Sequence, residues 1–240
     1  MHIPHSSSHR LPTIDITRGV ALIGMVVFHL TFDLELYGLI APGTIGQPGW
    51  SGFARLVAGS FVFLAGLSLV LAHDNGIRWR AFWQGTLIVA LAALAVTVAT
   101  FVAMPQVFVF FGILHIITVS RVLGLAFLRV PSWILVVLGA AIWAAPYVVQ
   151  FQAFNGRELA WIGFAETIPL SMDLEPIFPW FGPFLLGMAS ARTIRSALTG
   201  RQWEGGALGR ALAFAGRHSL VIYLLHQPIL LGSLWVLIRL

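Results

Sequence analysis

The pair of residues best placed to do chemistry is Arg18 and His29, which stand 11 positions apart in one apolar stretch. At about 100° and 1.5 Å per helical residue they fall within roughly 20° of one another on one face, with roughly 16 Å between them. Such a helix presents a permanent cation near one end and a titratable imidazole deep along its length. That geometry suits a ligand with a phosphorylated head and a long arm, the phosphates on the arginine and the reactive end at the histidine. Acyl-coenzyme A has that shape. Asp33, four residues after His29, is close enough to fix the tautomer of the imidazole and raise its basicity. Asp15, three residues before Arg18, is placed to orient the guanidinium. An imidazole so supported can take the proton of an attacking hydroxyl or amine, or carry the acyl group transiently itself.

Two further histidines lie inside apolar stretches. His226, eight residues after His218, is followed by Gln227 and Pro228, and His115 comes six residues before Arg121. Helical rise puts them roughly 12 Å and 9 Å inside those flanking residues, a depth comparable to that of His29. Ionisable side chains at such depth are costly and are functional candidates for that reason. Either histidine could stabilise an oxyanion beside His29, although an isolated His such as His115 is more often structural. Buried His and Asp groups suit a proton-coupled transporter equally well. A relay of that kind has no need of a phosphate-binding cation at the interface, which favours the enzyme. An intramembrane metal site built from His29, Asp33, His115 and His226 is disfavoured, since no two of the three histidines share a compact ligand motif, and no metal is expected. The absence of Cys removes thiolate chemistry.

The elements that must position these groups are helices in a bilayer. Of 240 residues, 58% are hydrophobic and 10% charged, with a mean hydropathy of +0.89; a soluble domain carries roughly 25% charged residues. Apolar runs cover about 19–40, 53–72, 82–103, 107–128, 131–150, 177–191 and 219–238, most of them close to the roughly 20 residues needed to span a bilayer. Backbone groups in lipid are satisfied only within the segment, so the runs predict an all-α polytopic bundle of about seven helices. Residues 1–12 read as a disordered cytoplasmic N-terminus and 13–240 as a single transmembrane domain. The first run is too long for a signal peptide core and lacks a small-x-small cleavage site.

The net charge of +5 comes from 14 Arg and no Lys. A nucleic-acid partner is excluded by their distribution, because nearly all fall in gaps between runs. Arg10, Arg18, Arg78, Arg80, Arg129, Arg192, Arg195, Arg201, Arg210 and Arg217 fall in alternate gaps, and Asp33, Glu35, Glu158, Glu166, Asp173 and Glu175 in the others. The positive-inside rule then puts the N-terminus in the cytoplasm and the C-terminus outside. The sixth run is short and interrupted by Pro176, Pro179, Gly182 and Pro183; a broken helix at that depth must abut protein or line a water-filled cavity. Gly59 to Gly66 reads as a helix-packing stretch. Trp50, Trp161 and Trp180 read as an interfacial belt, and His73 and His218 as boundary residues. Arg in place of Lys, with abundant Ala and Gly, points to a bacterial inner (cytoplasmic) membrane.

The run Ile14-Asp15-Ile16-Thr17-Arg18-Gly19-Val20-Ala21-Leu22 resembles the I-D-x-x-R-G-x-A-L opening of the heparan-α-glucosaminide N-acetyltransferase catalytic-domain family. Gly59 to Ser68, and Gly216 through His226-Gln227-Pro228, resemble bacterial members of that family. The ten residues between Arg18 and His29 also match the Arg-x10-His signature of type-3 transmembrane acyltransferases. The resemblance implies transfer of an acyl group, typically acetyl from acetyl-CoA, to an amine or hydroxyl of a carbohydrate-like acceptor. It implies coenzyme contact at Arg18 and a catalytic role for His29. Lysosomal members carry a His three residues before a Trp-x-Gly; here Trp50-Ser51-Gly52 is kept and Gln47 stands at the His position. Seven crossings are fewer than the larger members have, and a homo-oligomer would be one way to supply more helices.

Overall fold

The computed structural model describes residues 11–73, 76–198 and 206–239; the expected disorder of the N-terminal segment falls, up to residue 10, outside them, as does Arg201. The chain is all-α. Its helices are α1 (Pro12–Leu36), α2 (Pro48–His73), α3 (Trp79–Ala103), α4 (Ile113–Gly124, extended by a 3-10 turn Leu125–Phe127), α5 (Ser132–Val148), the single turn α6 (Arg157–Ala160), α7 (Ile177–Leu198), α8 (Ala207–Arg217) and α9 (Ser219–Arg239). Four of them, α1, α2, α3 and α9, are each long and apolar enough to cross a membrane. α3 shows why lipid is the solvent: Leu87, Leu91, Leu94, Val98 and Phe101 are each more than half exposed. A face of that kind is unstable in water and at home in hydrocarbon. The protein is a multi-pass membrane protein.

α2 packs against α1, α4 and α7, and α7 lies between α2 and α5. The core is built on α7, where Phe184 and Leu185 are fully buried and Trp180, Phe181 and Met188 nearly so. The interruption expected in the sixth run is real, since Phe178 has extended φ/ψ. The segment after it packs into this core, however, and continues as helix to Leu198 past Arg192 and Arg195.

The ends of the helices alternate. The α1–α2 turn, residues 104–112 and the 149–176 loop share one end: Glu175 feels the charge of Arg55 at the start of α2, and Ile113 N–H donates to Asp173 Oδ2 at 2.9 Å. At the opposite end the His73 ring of α2 meets Phe82 of α3 with centroids 5.7 Å apart.

Two elements differ from the sequence-based expectation. The run at 107–128 becomes helical only at Ile113, because the backbone before it is satisfied by the 149–176 loop. Met172 N–H donates to Val107 O at 2.7 Å and Glu175 N–H to Phe111 O at 2.9 Å, so no helix is needed there. The arginine-rich gap before α9 contains a helix of its own, α8. It lies antiparallel along α1: a Cβ on Gly19 would stand 2.3 Å from Leu212 O, and one on Gly216 would stand 1.7 Å from Asp15 O. Only hydrogen at both positions permits this approach, and it backs the stretch of α1 that carries Asp15 and Arg18.

Candidate functional site

His29 on α1 and His226 on α9 come together in mid-bundle, their ring centroids 4.8 Å apart with planes inclined at 63°. His29 is half-buried and touches the edge of Phe28 as well. His226 is 8% exposed, and its Nδ1–H donates to Tyr223 O at 2.5 Å. That bond selects the tautomer, because a carbonyl can only accept. It leaves Nε2 as the lone-pair nitrogen, buried and without a hydrogen-bond partner.

Asp33 is fully buried, but its hydrogen bond is not to His29. Gln227 Nε2 donates to Asp33 Oδ1 at 2.7 Å. The helical face that carries His29 and Asp33 one turn apart is met by two successive residues of α9, His226 against the imidazole and Gln227 against the carboxylate. The expected Asp33–His29 orientation is therefore replaced by a bond that fixes the register of α9 on α1. Asp33 Oδ2 and Gln227 Oε1 remain buried and unpartnered. Gln227 is the residue that sequence reasoning left without a role; the available signal was a second polar side chain beside His226 in an otherwise apolar run.

Arg18 donates to Asp15 Oδ1 at 3.2 Å and to Ser68 Oγ of α2 at 2.5 Å. Asp15 is 3% exposed, so the guanidinium is held by an interior carboxylate and keeps its planar fork near the end of α1.

His115 is held apart from this pair by bonds of its own. Its Nδ1 accepts from Gly112 N–H at 3.1 Å, and its Nε2 meets Thr97 Oγ1 at 3.2 Å. Thr97 Oγ1–H in turn donates to Val109 O at 2.8 Å. The histidine thus fastens the non-helical lead into α4 to α3. Among the described residues no three His, Cys, Asp or Glu side chains gather as a metal site.

The loop end of the bundle carries two half-buried carboxylates. Burial pushes Asp173 up to about 6, and the Ile113 N–H bond pulls in the opposite direction. Burial, then the adjacent Asp173 charge, raises Glu175 well above the carboxylate range, while Arg55 and the Trp180 indole oppose the shift. A folded pKa raised above the unfolded value near 4 means that stability is greatest at low pH and is lost as pH rises through about 6. Asp173→Asn keeps an acceptor for Ile113 N–H and removes the charge. It should raise stability at pH 8 by roughly 1–3 kcal/mol, the gap closing as pH falls toward 4. Thermal midpoints of wild type and variant in detergent across that range measure this, and a variant less stable than wild type at pH 8 would refute it.

A shallow groove of about 390 Å3, lined by Val27, Gln47, Gly49, Trp50 and Phe53, opens beside α1 one half-turn before His29. The model of the catalytic region described as "Heparan-alpha-glucosaminide N-acetyltransferase, catalytic" matches residues 10–228. The chain belongs to this family. The matched region begins just ahead of α1 and ends two residues past His226, so it contains Asp15, Arg18, His29, Asp33, His115 and His226. No curated protein and no solved structure matches the chain. Membership in a family of membrane acetyltransferases agrees with the apolar helices and directs attention to acyl transfer.

Proposed function

We propose that the protein transfers an acetyl or other acyl group from acyl-CoA to a hydroxyl or amine of a carbohydrate-like acceptor, in the inner membrane, with its N-terminus cytoplasmic. The observation that carries this reading is the His29–His226 pair with an unbonded Nε2. The acceptor's O–H or N–H proton passes to the imidazole pair while its oxygen or nitrogen attacks the thioester carbonyl. The tetrahedral intermediate collapses, the carbon–sulfur bond breaks, and the departing thiolate takes a proton back. His29 keeps the role of catalytic histidine. His226 changes role: with its one N–H committed to Tyr223, it offers a lone pair, so it serves as proton acceptor rather than oxyanion donor. Asp33 acts through Gln227 as a positioning residue, and Arg18, oriented by Asp15, binds the donor's phosphates. Gln47 and Trp50 line the route for the acceptor.

The test is acetyl transfer by the full chain in lipid nanodiscs, with labelled acetyl-CoA and a panel of amino sugars and neutral sugars. Labelled amide or ester should form with one CoA released per product. Absence of any acylated product, with proton uptake by proteoliposomes instead, would overturn the reading in favour of a transporter.

A further inference from the structure

Arg121 has no place in the scheme above. It lies on α4 as a half-buried side chain, two turns along the helix from His115. Its Nε donates to Thr86 Oγ1 of α3 at 3.1 Å, and its guanidinium rests over the Phe82 ring at 5.6 Å. A Cβ on Gly85 would come within 3.2 Å of Nη2, so the guanidinium lies across the one residue of α3 that leaves it room. Among the described residues no carboxylate pairs with it. The charge of a second cation, Arg18, reaches it; the partners of Arg18, Asp15 and Ser68, lie on α1 and α2.

Two polar groups beside Arg121 are also unsatisfied. Ser120, its neighbour on α4, is fully buried with no partner for Oγ, and His73, whose ring also meets Phe82, has a buried Nε2 with none. An arginine within a membrane bundle is costly and ordinarily pairs with an acid. Two arginines from different helices close enough for their charges to act on one another, with orphaned polar atoms at Ser120 and His73, have the make-up of an anion site. The guanidinium fork matches phosphate in particular.

We propose that Arg121 and Arg18 together form a two-cation clamp for phosphate at the arginine-rich end of the bundle, with Ser120 and His73 as supporting polar contacts. The inference rests on the proposed use of a coenzyme-linked donor, whose diphosphate and ribose phosphate are its natural occupants; an anionic lipid headgroup offers the same chemistry.

The experiment measures binding of CoA and of acetyl-pantetheine, which lacks the phosphates, to the full chain in nanodiscs of neutral lipid or of neutral lipid mixed with phosphatidylglycerol. Arg121→Gln should weaken CoA about ten- to hundredfold and leave acetyl-pantetheine unchanged, in either lipid. Arg121→Lys, which keeps the charge and loses the fork, should show an intermediate loss and guards against misfolding of the neutral variant. Unchanged CoA affinity with loss of bound phosphatidylglycerol from Arg121→Gln, read by native mass spectrometry, would support the clamp and assign the phosphate to lipid. CoA and lipid both retained as in wild type would overturn it. Because these are binding readouts, they separate from turnover. A wild type that binds CoA through Arg121 yet transfers nothing would fail the acyltransfer reading and keep the clamp, whereas transfer by Arg121→Gln with an unaltered KM and wild-type lipid retention would do the reverse.

Discussion

Replacing His226 with Ala should lower the rate of acyl transfer by about 10²–10⁴-fold, the usual contribution of a positioned acid–base group, while acetyl-CoA still binds. The expectation comes from the committed tautomer. Tyr223 O holds the Nδ1 proton at 2.5 Å, so the proton must arrive at Nε2, the nitrogen buried without a partner. His29→Ala should cost a similar factor, because its ring lies 4.8 Å from that of His226 and the proposed proton transfer uses the two as one unit. The double variant is the decisive measurement. Residues that act as a unit are strongly non-additive, so losing both should cost little more than losing either. Multiplied losses would mean two independent roles, and a His226→Ala enzyme within twofold of wild type would remove it from the chemistry altogether. Donor binding is expected to survive in all three variants, since Arg18 is anchored on Asp15 and Ser68, away from the imidazoles.

What the sequence made legible follows the range of the interactions. The Arg18–Asp15 bond joins residues three apart, and helical periodicity states such neighbours directly. The apolar runs likewise announce the spanning helices, because lipid leaves the backbone no other choice. Asp33 shows where this fails: the residue one turn away was the reasonable partner, yet the actual one lies 194 positions along the chain. Nothing local encodes how α9 crosses α1. His115 fails for the same reason, since its bonds to Gly112 and Thr97 depend on how residues 104–112 fold back on α3. α8 is not legible as an apolar run because Arg210 and Arg217 interrupt it, and its close contact with Asp15 and Gly19 exists only in the packed bundle.

The seam between α2 and α7 carries the second large effect. Gly66 and Gly187 face each other's helices: a Cβ on Gly66 would stand 2.0 Å from Phe184 O and 3.3 Å from Met188 N, and one on Gly187 would stand 2.0 Å from Phe63 O and 3.0 Å from Leu67 N. These are backbone atoms in the middle of helices, so no side chain can swing aside to make room. Gly66→Ala must instead force the two helices apart. Lipid offers no hydrophobic compensation for the separation, because helix association in a bilayer depends on close van der Waals contact. Fully buried Phe184 and Leu185, and Leu67 at 2% exposure, would lose contacts together. The destabilisation should exceed about 3 kcal/mol, beyond the usual range for overpacking, and Gly187→Ala should behave alike. Gly232→Ala on α9 is the control, since no atom lies within 4 Å of its Cβ position, and it should melt as wild type does or slightly higher. Thermal unfolding in a mild detergent, followed by loss of the monodisperse peak, distinguishes them. Gly66→Ala melting level with Gly232→Ala would show that the seam is looser than its backbone distances imply. If it melts far lower, the spacing of α2 from α7 is fixed at these two glycines, and with it the position of Ser68, the α2 contact of Arg18.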